Sequence, residues 1–293
     1  MSDWLETYRG SVFRWEVDHN DHLTVASYFA RLADAGLALL AALGLGPAYM
    51  TRAGRGCVTA DCYARYAREL RAGDVLHVAS GVIGVEADAL VLGHKLVDSA
   101  SGELCTTVEQ RVRHVELADR AAVPLTAEQR RAAQARHVAW DGPPRERRPR
   151  PRGLEGFRDT ARDTVKPWEL DVSGASALAH YIHRFSASNG HAIAAFGLTP
   201  GYLRAERRGF STFEFQLEVA APLRAGDLVR VRSALLHVGA SSMRVLHVMT
   251  REPDGTRVAA LEQLGVHLDM DARRPTPLPD AIRDRARALL IPT

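Results

Sequence analysis

The sequence contains little cysteine, with three residues among 293. Cys57, Cys62 and Cys105 form neither the even-numbered set of a disulfide framework nor the paired spacing of a zinc site. No electropositive partner that would favour a thiolate is evident for Cys57 or Cys62, so neither is expected to be a nucleophile. We interpret all three as reduced thiols of a cytoplasmic protein.

The sequence also lacks a strong excess of charge and long apolar runs. The 38 Lys and Arg residues nearly balance 35 Asp and Glu residues, which leaves a net charge of +3 and predicts no nucleic-acid partner. No apolar stretch of the ~18 residues that span a bilayer is evident, and the start MSDWLETYRG does not resemble a signal peptide. With 46% hydrophobic and 25% charged residues, the chain is predicted to be a soluble globular protein that needs no membrane partner.

What the sequence does contain is an internal repeat. Trp15 and Asp18 recur as Trp168 and Asp171, 153 positions further along the chain. The same offset relates LGLGPAY at 43–49 to FGLTPGY at 196–202, LRAGD at 70–74 to LRAGD at 223–227, and Glu109-Gln110 to Glu262-Gln263. A constant offset over this length predicts two tandem copies of one fold.

Each copy has the same order of predicted elements. A strand-like stretch, SVFRWEV at 11–17 in the first copy, precedes a helical stripe of apolar residues from Val25 to Leu43, and Leu178 to Phe196 form the second stripe. Strand-like segments follow each helix, at 57–69, 74–86, 89–99 and 103–116, and at 210–221, 227–238, 241–252 and 256–269. A helix with so wide an apolar arc can be covered by a curved antiparallel sheet, which predicts an α+β fold with two long central helices, each wrapped by its own sheet.

These patterns predict four regions of the chain. Residues 1–125 form the first copy and 158–274 the second, while 275–293 form a terminal helix. Between the copies, 126–157 contains a polar helix and a linker rich in proline and arginine. The linker arginines are expected to be solvated, with a phosphate-bearing ligand as the alternative.

The first copy carries polar residues that the second copy has lost. Asp18, Asn20, His22 and Glu69 of the first copy correspond to Asp171, Ser173, Ala175 and Pro222 of the second. Because the helix and strand pattern is kept without three of these four polar groups, the difference favours function over scaffolding. Asp18 has an acidic counterpart, so a shared structural role is as well supported as a catalytic one. His22 as a core histidine, Glu69 as a surface charge and Asp21 as a helix cap are the structural alternatives.

Two stretches resemble a known family. DHNDHLTVASY at 18–28 resembles the Asp-x-Asn-x-His-x-x-x-x-x-Tyr stretch of hotdog thioesterases, and YARELRAGD at 66–74 resembles their following strand with its acidic residue. The sequence is most similar to double-hotdog acyl-ACP thioesterases and to acyl-CoA thioesterases of the 4-hydroxybenzoyl-CoA and betainyl-CoA type. The resemblance implies a tandem, or double, hotdog fold. Family members commonly carry glycine and asparagine where this chain has Asp21 and Thr24. The resemblance therefore does not predict which acyl group the substrate carries.

The resemblance also implies a reaction, the hydrolysis of an acyl-CoA or acyl-ACP thioester to a carboxylic acid, without a cofactor. Asp18 and Glu69 would be nucleophile or general base, and Asn20 and His22 would orient the reacting groups. The helix start near Asn20 to Thr24 would present free N–H groups to the developing oxyanion. The implied substrate-binding residues are Thr24 and Tyr28. Hotdog sites normally lie at the junction of two copies, so one chain could complete the site, and a homodimer of such chains is plausible.

Three alternatives remain open. Hotdog dehydratases and hydratases also use spaced Asp and His residues, although their His commonly stands one residue later than His22. A non-catalytic module that binds acyl thioesters is the second alternative, because fold does not dictate function. A metal site made of Asp18, His19, Asp21 and His22 is disfavoured, because ligands within five consecutive residues converge poorly on one ion.

Overall fold

The structure is a computed structural model that describes residues 4–252 and 254–293. The chain forms two compact units. One comprises the residues up to Pro144 together with Pro167–His180, and the other comprises Arg145–Lys166 together with Tyr181–Thr293.

The first copy contains one antiparallel sheet and one long helix. Its elements are β1 (Leu5–Ser11), a 3₁₀ helix (Arg14–Glu16), α1 (Val25–Ala42), α2 (Pro47–Ala53), β2 (Arg55–Tyr66), β3 (Val75–Val85), β4 (Ala89–Asp98), β5 (Leu104–Glu116) and α3 (Ala127–Gln134). The strands lie in the order β1-β3-β4-β5-β2, and each neighbouring pair is antiparallel. The predicted long helix and the four strands after it are confirmed.

The second copy repeats this arrangement. Its elements are β6 (Arg158–Thr164), a 3₁₀ helix (Pro167–Glu169), α4 (Leu178–Ala194), α5 (Pro200–Ala205), β7 (Arg208–Val219), β8 (Leu228–Val238), β9 (Ser242–Glu252), β10 (Arg257–Asp269), β11 (Arg274–Pro275) and α6 (Asp280–Arg287). The strand order β6-β8-β9-β10-β7 reproduces that of the first copy, and β11 pairs with β10. The predicted duplication is therefore present in the strand order as well as in the sequence.

The long helices form because their apolar stripes are buried. On α1, Phe29, Leu32 and Leu39 are almost fully covered, and the helix contacts β1, β3 and β4. On α4, the ring of Phe185 lies 6.0 Å from the ring of His247 on β9. The periodicity of three and four residues that predicted these helices therefore corresponds to the core-facing side.

Helix α1 corrects the expectation that no segment could span a membrane. Its 18 residues have a mean hydropathy of 1.4, so by length and composition alone this helix could cross a bilayer. Half of this segment is buried inside the structure. The core helix of a soluble protein has the same length and apolarity, so this feature is weak evidence for a membrane helix.

The prediction of a strand over 11–17 is wrong. Strand β1 ends at Ser11, and residues 14–16 form the 3₁₀ helix. The Glu16 carboxylate accepts the Phe13 N–H at 2.8 Å and the Arg31 guanidinium at 2.7 Å, which stabilises a turn there. Pro47 and Pro200 each start a short helix after the long one, as proline at the first helical position favours.

The repeat continues beyond the sheets. Helix α6 lies 153 residues after α3, and the residues that follow make equivalent contacts. His137 forms a parallel bridge with Val82, and Leu290 forms one with Leu235. The polar helix predicted between the two copies therefore has a counterpart in the second copy.

In the arginine strap, residues 145–150, the expectation that the linker arginines are solvated is wrong for Arg145, Arg148 and Arg150, whereas Arg147 is exposed. Arg148 pairs with Glu214, and Arg150 lies 2.7 Å from Glu262. Glu214 and Glu262 are only 1% and 3% exposed. Buried carboxylates need a cationic partner, and the strap supplies it.

Candidate active site

Residues 18–22 form a tight turn that leads into α1. The Asp18 N–H donates to the His22 carbonyl, and the Asp21 N–H donates to the Asp18 carbonyl, both at 3.0 Å. Asp21 has a φ of 59°, a left-handed conformation that Asp tolerates better than most residues. Thr24 is the helix cap, because its Oγ1 accepts the Ser27 N–H at 3.2 Å. The interpretation of Asp21 as the cap is therefore wrong, and its exposed carboxylate pairs with Arg14 instead.

The second copy builds the same turn with different side chains. The Asp171 N–H donates to the Ala175 carbonyl at 2.8 Å, and the Gly174 N–H donates to the Asp171 carbonyl at 3.0 Å. Gly174 has a φ of 72°, close to that of Asp21. Each turn thus keeps its backbone geometry, although the asparagine and the histidine occur only in the first.

The two aspartates share a structural role. The Asp18 Oδ1 accepts the Asn20 N–H at 2.8 Å, and the Asp171 Oδ1 accepts the Ser173 N–H at 2.7 Å. This bond to the second following residue is the usual way in which Asp stabilises a turn. The structural role that the sequence left open for Asp18 is therefore present, and it accounts for Asp171.

In the first copy alone, further side chains converge on this aspartate. The His22 Nδ1 lies 3.1 Å from the Asp18 Oδ1, and the Asn20 Nδ2 donates to the Asp18 Oδ2 at 3.4 Å. Asn20 is buried, while the side chains of His22 and Asp18 are 13% and 28% exposed. The three predicted residues form one cluster that remains partly open.

The contact between Asp18 and His22 shifts the pKa of both groups. Burial alone would raise the pKa of Asp18, but the hydrogen bond and charge of His22 and the Asn20 N–H outweigh it and lower this pKa. Burial alone would lower the pKa of His22, but Asp18 outweighs it and raises this pKa, with a smaller contribution from the charge of Glu69. The pair thus favours an ionised carboxylate beside a protonated imidazole.

Two hydrogen bonds bring Glu69 to this cluster. The Leu23 N–H, directly after the turn, donates to the Leu70 carbonyl at 2.7 Å. The Leu70 N–H in turn donates to the Tyr28 hydroxyl. Glu69 is therefore held between α1 and β3, with 29% of its side chain exposed and the Arg71 guanidinium 3.8 Å away. Its charge contributes to the raised pKa of His22, while its partial exposure beside Arg71 also agrees with the surface-charge alternative.

Thr24 and Tyr28, the predicted substrate-binding residues, both have internal contacts. The Thr24 hydroxyl lies 2.8 Å from that of Ser27 at the start of α1. Tyr28 is buried, and burial raises its pKa above the ordinary value. The second copy keeps the equivalent of the hydrogen bond between Leu70 and Tyr28, because the Leu223 N–H donates to the Tyr181 hydroxyl at 3.0 Å.

Other ionisable groups contribute little to this cluster. His19 is exposed, and within residues 4–252 and 254–293 no group of three or more His, Cys, Asp or Glu side chains could hold a metal ion. Burial raises the pKa of the Cys57 thiol to about 12 and also raises that of Cys105. Neither thiol is therefore suited to nucleophilic attack.

Two contacts that support the turn were not identified from the sequence, namely the hydrogen bond between the Leu70 N–H and the Tyr28 hydroxyl and the ion pair between Arg31 and Glu16. Arg31 is buried and donates to the Glu16 carboxylate at 2.7 Å, to the Ser11 carbonyl at 2.8 Å and to the Ser27 carbonyl at 3.0 Å. Tyr28 and Arg31 recur at the repeat offset as Tyr181 and Arg184. That recurrence was the available signal, since identical polar residues in both copies indicate a shared structural need.

Comparison with known proteins places this geometry in a family. The family model of the thioesterase-like superfamily matches residues 12–133 and again 165–286. Betainyl-CoA thioesterase of Pseudomonas aeruginosa is 30% identical over 128 residues, which are 44% of this chain and 80% of that protein. L-carnitine dehydrogenase/betainyl-CoA thioesterase of Rhizobium meliloti is 30% identical over 112 residues, which are 38% of this chain and 22% of that protein.

Solved structures share the fold over nearly the whole chain. The 12:0-ACP thioesterase from Umbellularia californica superposes with a TM-score of 0.68 at 13% identity, covering 92% of this chain and 93% of that one. An acyl-ACP thioesterase from Bacteroides thetaiotaomicron gives a TM-score of 0.67 at 15% identity, covering 88% and 96%. At these identities the likeness establishes the fold alone.

Two repeats that match this family model, together with a relative that is 30% identical, identify the chain as an acyl thioester hydrolase. The chain belongs to the thioesterase-like superfamily, and both of its copies match the family model. The double-hotdog fold and the thioester hydrolysis that the resemblance implied are thus confirmed, and the dehydratase alternative is not favoured.

Proposed function

We propose that the first copy carries out the hydrolysis, with Asp18, Asn20, His22 and Glu69 as its catalytic residues. The observation that carries this proposal is the Asp18–His22 pair, 3.1 Å apart on a turn that the second copy builds without the histidine. In this proposal α1 and α4 are the two central helices, each wrapped by its sheet. The start of α1 then presents free N–H groups to the oxygen that gains charge.

The contacts of the Asp18 and Glu69 carboxylates favour different roles for these two residues. Asp18 already accepts the Asn20 N–H and the Asn20 amide and lies 3.1 Å from the His22 imidazole, contacts that suit a positioning role. Glu69 is therefore the better candidate for the general base or the nucleophile. Asp18 would hold His22 in position and keep it protonated.

The proposed reaction balances with these groups. Glu69 takes a proton from a water molecule that attacks the thioester carbonyl carbon, or attacks that carbon itself and is then released by water. The carbon–sulfur bond breaks, and the thiolate takes up a proton, for which the protonated His22 is a suitable donor. Asn20 would orient the reacting groups, while Thr24 and Tyr28 would shape the start of the acyl pocket.

We infer that the substrate is an acyl-CoA or an acyl-ACP thioester. The relatives named above include a betainyl-CoA thioesterase and 12:0-ACP and other acyl-ACP thioesterases, which supports both carriers. We place the reaction in the cytoplasm, without a cofactor, a nucleic-acid partner or a membrane partner, and in a chain able to form a homodimer.

A panel of acyl-CoA and acyl-ACP thioesters, followed by the release of free thiol, tests the proposal. The wild type is expected to hydrolyse at least one thioester, and Glu69→Gln is expected to lower kcat by about 10²-fold or more. Glu103→Gln is the matched control, because Glu103 is an exposed carboxylate on the turn before β5. A folded wild type that is inert to every thioester contradicts the proposed function.

Hydrolysis in ¹⁸O-water under single turnover distinguishes between Glu69 as general base and Glu69 as nucleophile. Label in the Glu69 carboxylate indicates a covalent anhydride, whereas label in the acid product alone indicates direct attack by water. Label in the carboxylate of Asp18 would contradict the assignment of attack to Glu69.

A further inference from the structure

Arg31 is a charged residue that lies buried beside the start of α1, with only 4% of its side chain exposed. Its guanidinium donates to the Glu16 carboxylate at 2.7 Å, to the Ser11 carbonyl at 2.8 Å and to the Ser27 carbonyl at 3.0 Å. These three bonds join the end of β1, the 3₁₀ helix and the first turn of α1 through a single side chain.

Glu16 stands at the base of the turn that carries the proposed catalytic residues. The Thr24 N–H donates to the Glu16 carbonyl at 2.8 Å, and the next pair, Val17 and Leu23, forms an antiparallel bridge. These two pairs form a short antiparallel stem, from which the turn of residues 18–22 projects. The position of Glu16 therefore determines where the turn lies relative to α1.

The second copy has the same buried arginine without the same catalytic set. At the repeat offset Arg31 corresponds to Arg184, which is also buried. Arg184 donates to the Thr164 carbonyl at 3.2 Å and lies 3.1 Å from Asp163. Thr164 is the repeat equivalent of Ser11, so both arginines hold the end of the first strand of their copy. The fold thus keeps this arginine in both copies, whereas the imidazole on the turn occurs only in the first.

We propose that Arg31 is a positioning residue of the hydrolysis, which holds the stem against α1 and so keeps Asp18 and His22 in place at the start of this helix. This inference rests on the proposed thioester hydrolysis. Because Arg31 is buried, it acts through Glu16 and not on the substrate. A catalytic group that is displaced by about 1 Å can lose ~10²-fold in rate, so the support of the turn has a direct kinetic consequence.

The kinetic test compares Arg31→Gln with the matched control Arg184→Gln, on the thioester that the wild type hydrolyses fastest. Both variants are expected to lower Tm, since each removes a guanidinium from buried acceptors. Arg31→Gln is expected to lower kcat by about 10-fold or more and to leave KM within about twofold, whereas Arg184→Gln leaves kcat within about twofold. Equal losses of kcat in the two variants, or no loss in Arg31→Gln, overturn the inference.

The NMR titration of His22 separates positioning from a general loss of stability. Removal of a nearby positive charge would by itself raise the pKa of His22, whereas a loosened contact with Asp18 lowers it. We expect this pKa to fall in Arg31→Gln and to stay at the wild-type value in Arg184→Gln. A pKa of His22 that rises or stays unchanged in Arg31→Gln would show that the arginine does not position the pair.

Arg31→Lys provides a second comparison, which decides the matter if Arg31→Gln does not fold. Lysine keeps the buried positive charge but lacks the planar fork with which arginine reaches several acceptors at once. Its kcat is expected to lie between those of Arg31→Gln and the wild type, with Arg184→Lys as the control. A kcat of Arg31→Lys at the wild-type value, or an equal loss in Arg184→Lys, contradicts the proposed role.

The two levels of the proposal fail differently. If the wild type hydrolyses no thioester, the proposed function fails, and the inference fails with it. If the wild type is active and the Arg31 variants lose no more kcat than the Arg184 variants, only the role of Arg31 is overturned.

Discussion

At the scale of single residues, Asp18 has two roles and Asp171 has one. Both carboxylates accept a backbone N–H two residues further on, which stabilises the turn. Only Asp18 also contacts an imidazole, at 3.1 Å. Comparing the two copies therefore separates the contact that stabilises the turn from the contact with the imidazole, which occurs only in the first copy.

A prediction at this scale concerns the pKa of His22. Burial lowers this pKa and Asp18 raises it, so Asp18→Asn is expected to bring the pKa of His22 below that of the wild type. The amide oxygen that this change introduces can still accept the Asn20 N–H, so the turn should persist. The NMR titration of His22 measures the shift, with Asp171→Asn as the control. Equal titration midpoints in the wild type and Asp18→Asn would show that the pair is not coupled.

At the scale of elements, the arginine strap connects residues that are distant in sequence. Arg148 and Arg150 pair with carboxylates on β7 and β10, and Arg145 donates to Gln216 on β7 at 3.0 Å. Glu214 and Glu262 lie within strands and are buried, and the strap brings arginines to their charges, in addition to Gln216 and Arg244 of the sheet. The strap is thus a part of the fold of the second unit.

This role predicts unequal effects for neighbouring arginines. Arg148→Ala removes the guanidinium beside the buried Glu214 carboxylate and is expected to lower the free energy of unfolding by about 3 kcal/mol. Arg147→Ala, at an exposed position, is expected to change it by no more than ~0.5 kcal/mol. Chemical denaturation measures both variants. Equal effects would mean that the strap is only a solvated linker.

At the scale of the whole molecule, each copy links a threonine and a serine to a buried histidine by hydrogen bonds. In the first copy Ser80 bridges Thr7 and His94, at 2.6 and 2.7 Å, and the His94 Nε2 lies 3.0 Å from Gln110. The corresponding residues of the second copy are Thr160, Ser233, His247 and Gln263. Burial lowers the pKa of His94 to about 4 and that of His247 to about 3.

These histidines predict a loss of stability in acid. Their pKa values in the folded state lie below the ordinary 6.5, so below that pH the unfolded chain binds more protons. Stability is therefore expected to be complete above pH 6.5 and to fall as the pH drops from 6.5 towards 4. Denaturant midpoints between pH 7.5 and 4.5 measure the slope, and His94→Gln should reduce it. A slope that is unchanged in His94→Gln contradicts the assignment.

The sequence was most informative where its signals are local or repeated. The apolar period predicted α1 and α4, and the repeat offset identified Asn20, His22 and Glu69 as the residues that differ. The sequence could not reveal the partners of Arg148 and Arg150, because Glu214 and Glu262 lie 66 and 112 residues further along the chain. The 3₁₀ helix at 14–16 was missed because one of the two contacts of Glu16 that stabilise it comes from Arg31 on α1.

One comparison of two variants tests most directly the central claim that the first copy carries out the hydrolysis. The measurement is kcat/KM for thiol release by Asp18→Asn and Asp171→Asn, on the thioester that the wild type hydrolyses fastest. We expect a loss of about 10²-fold or more for Asp18→Asn and a change within about twofold for Asp171→Asn, with both variants folded. Equal activities of the two variants would contradict the account.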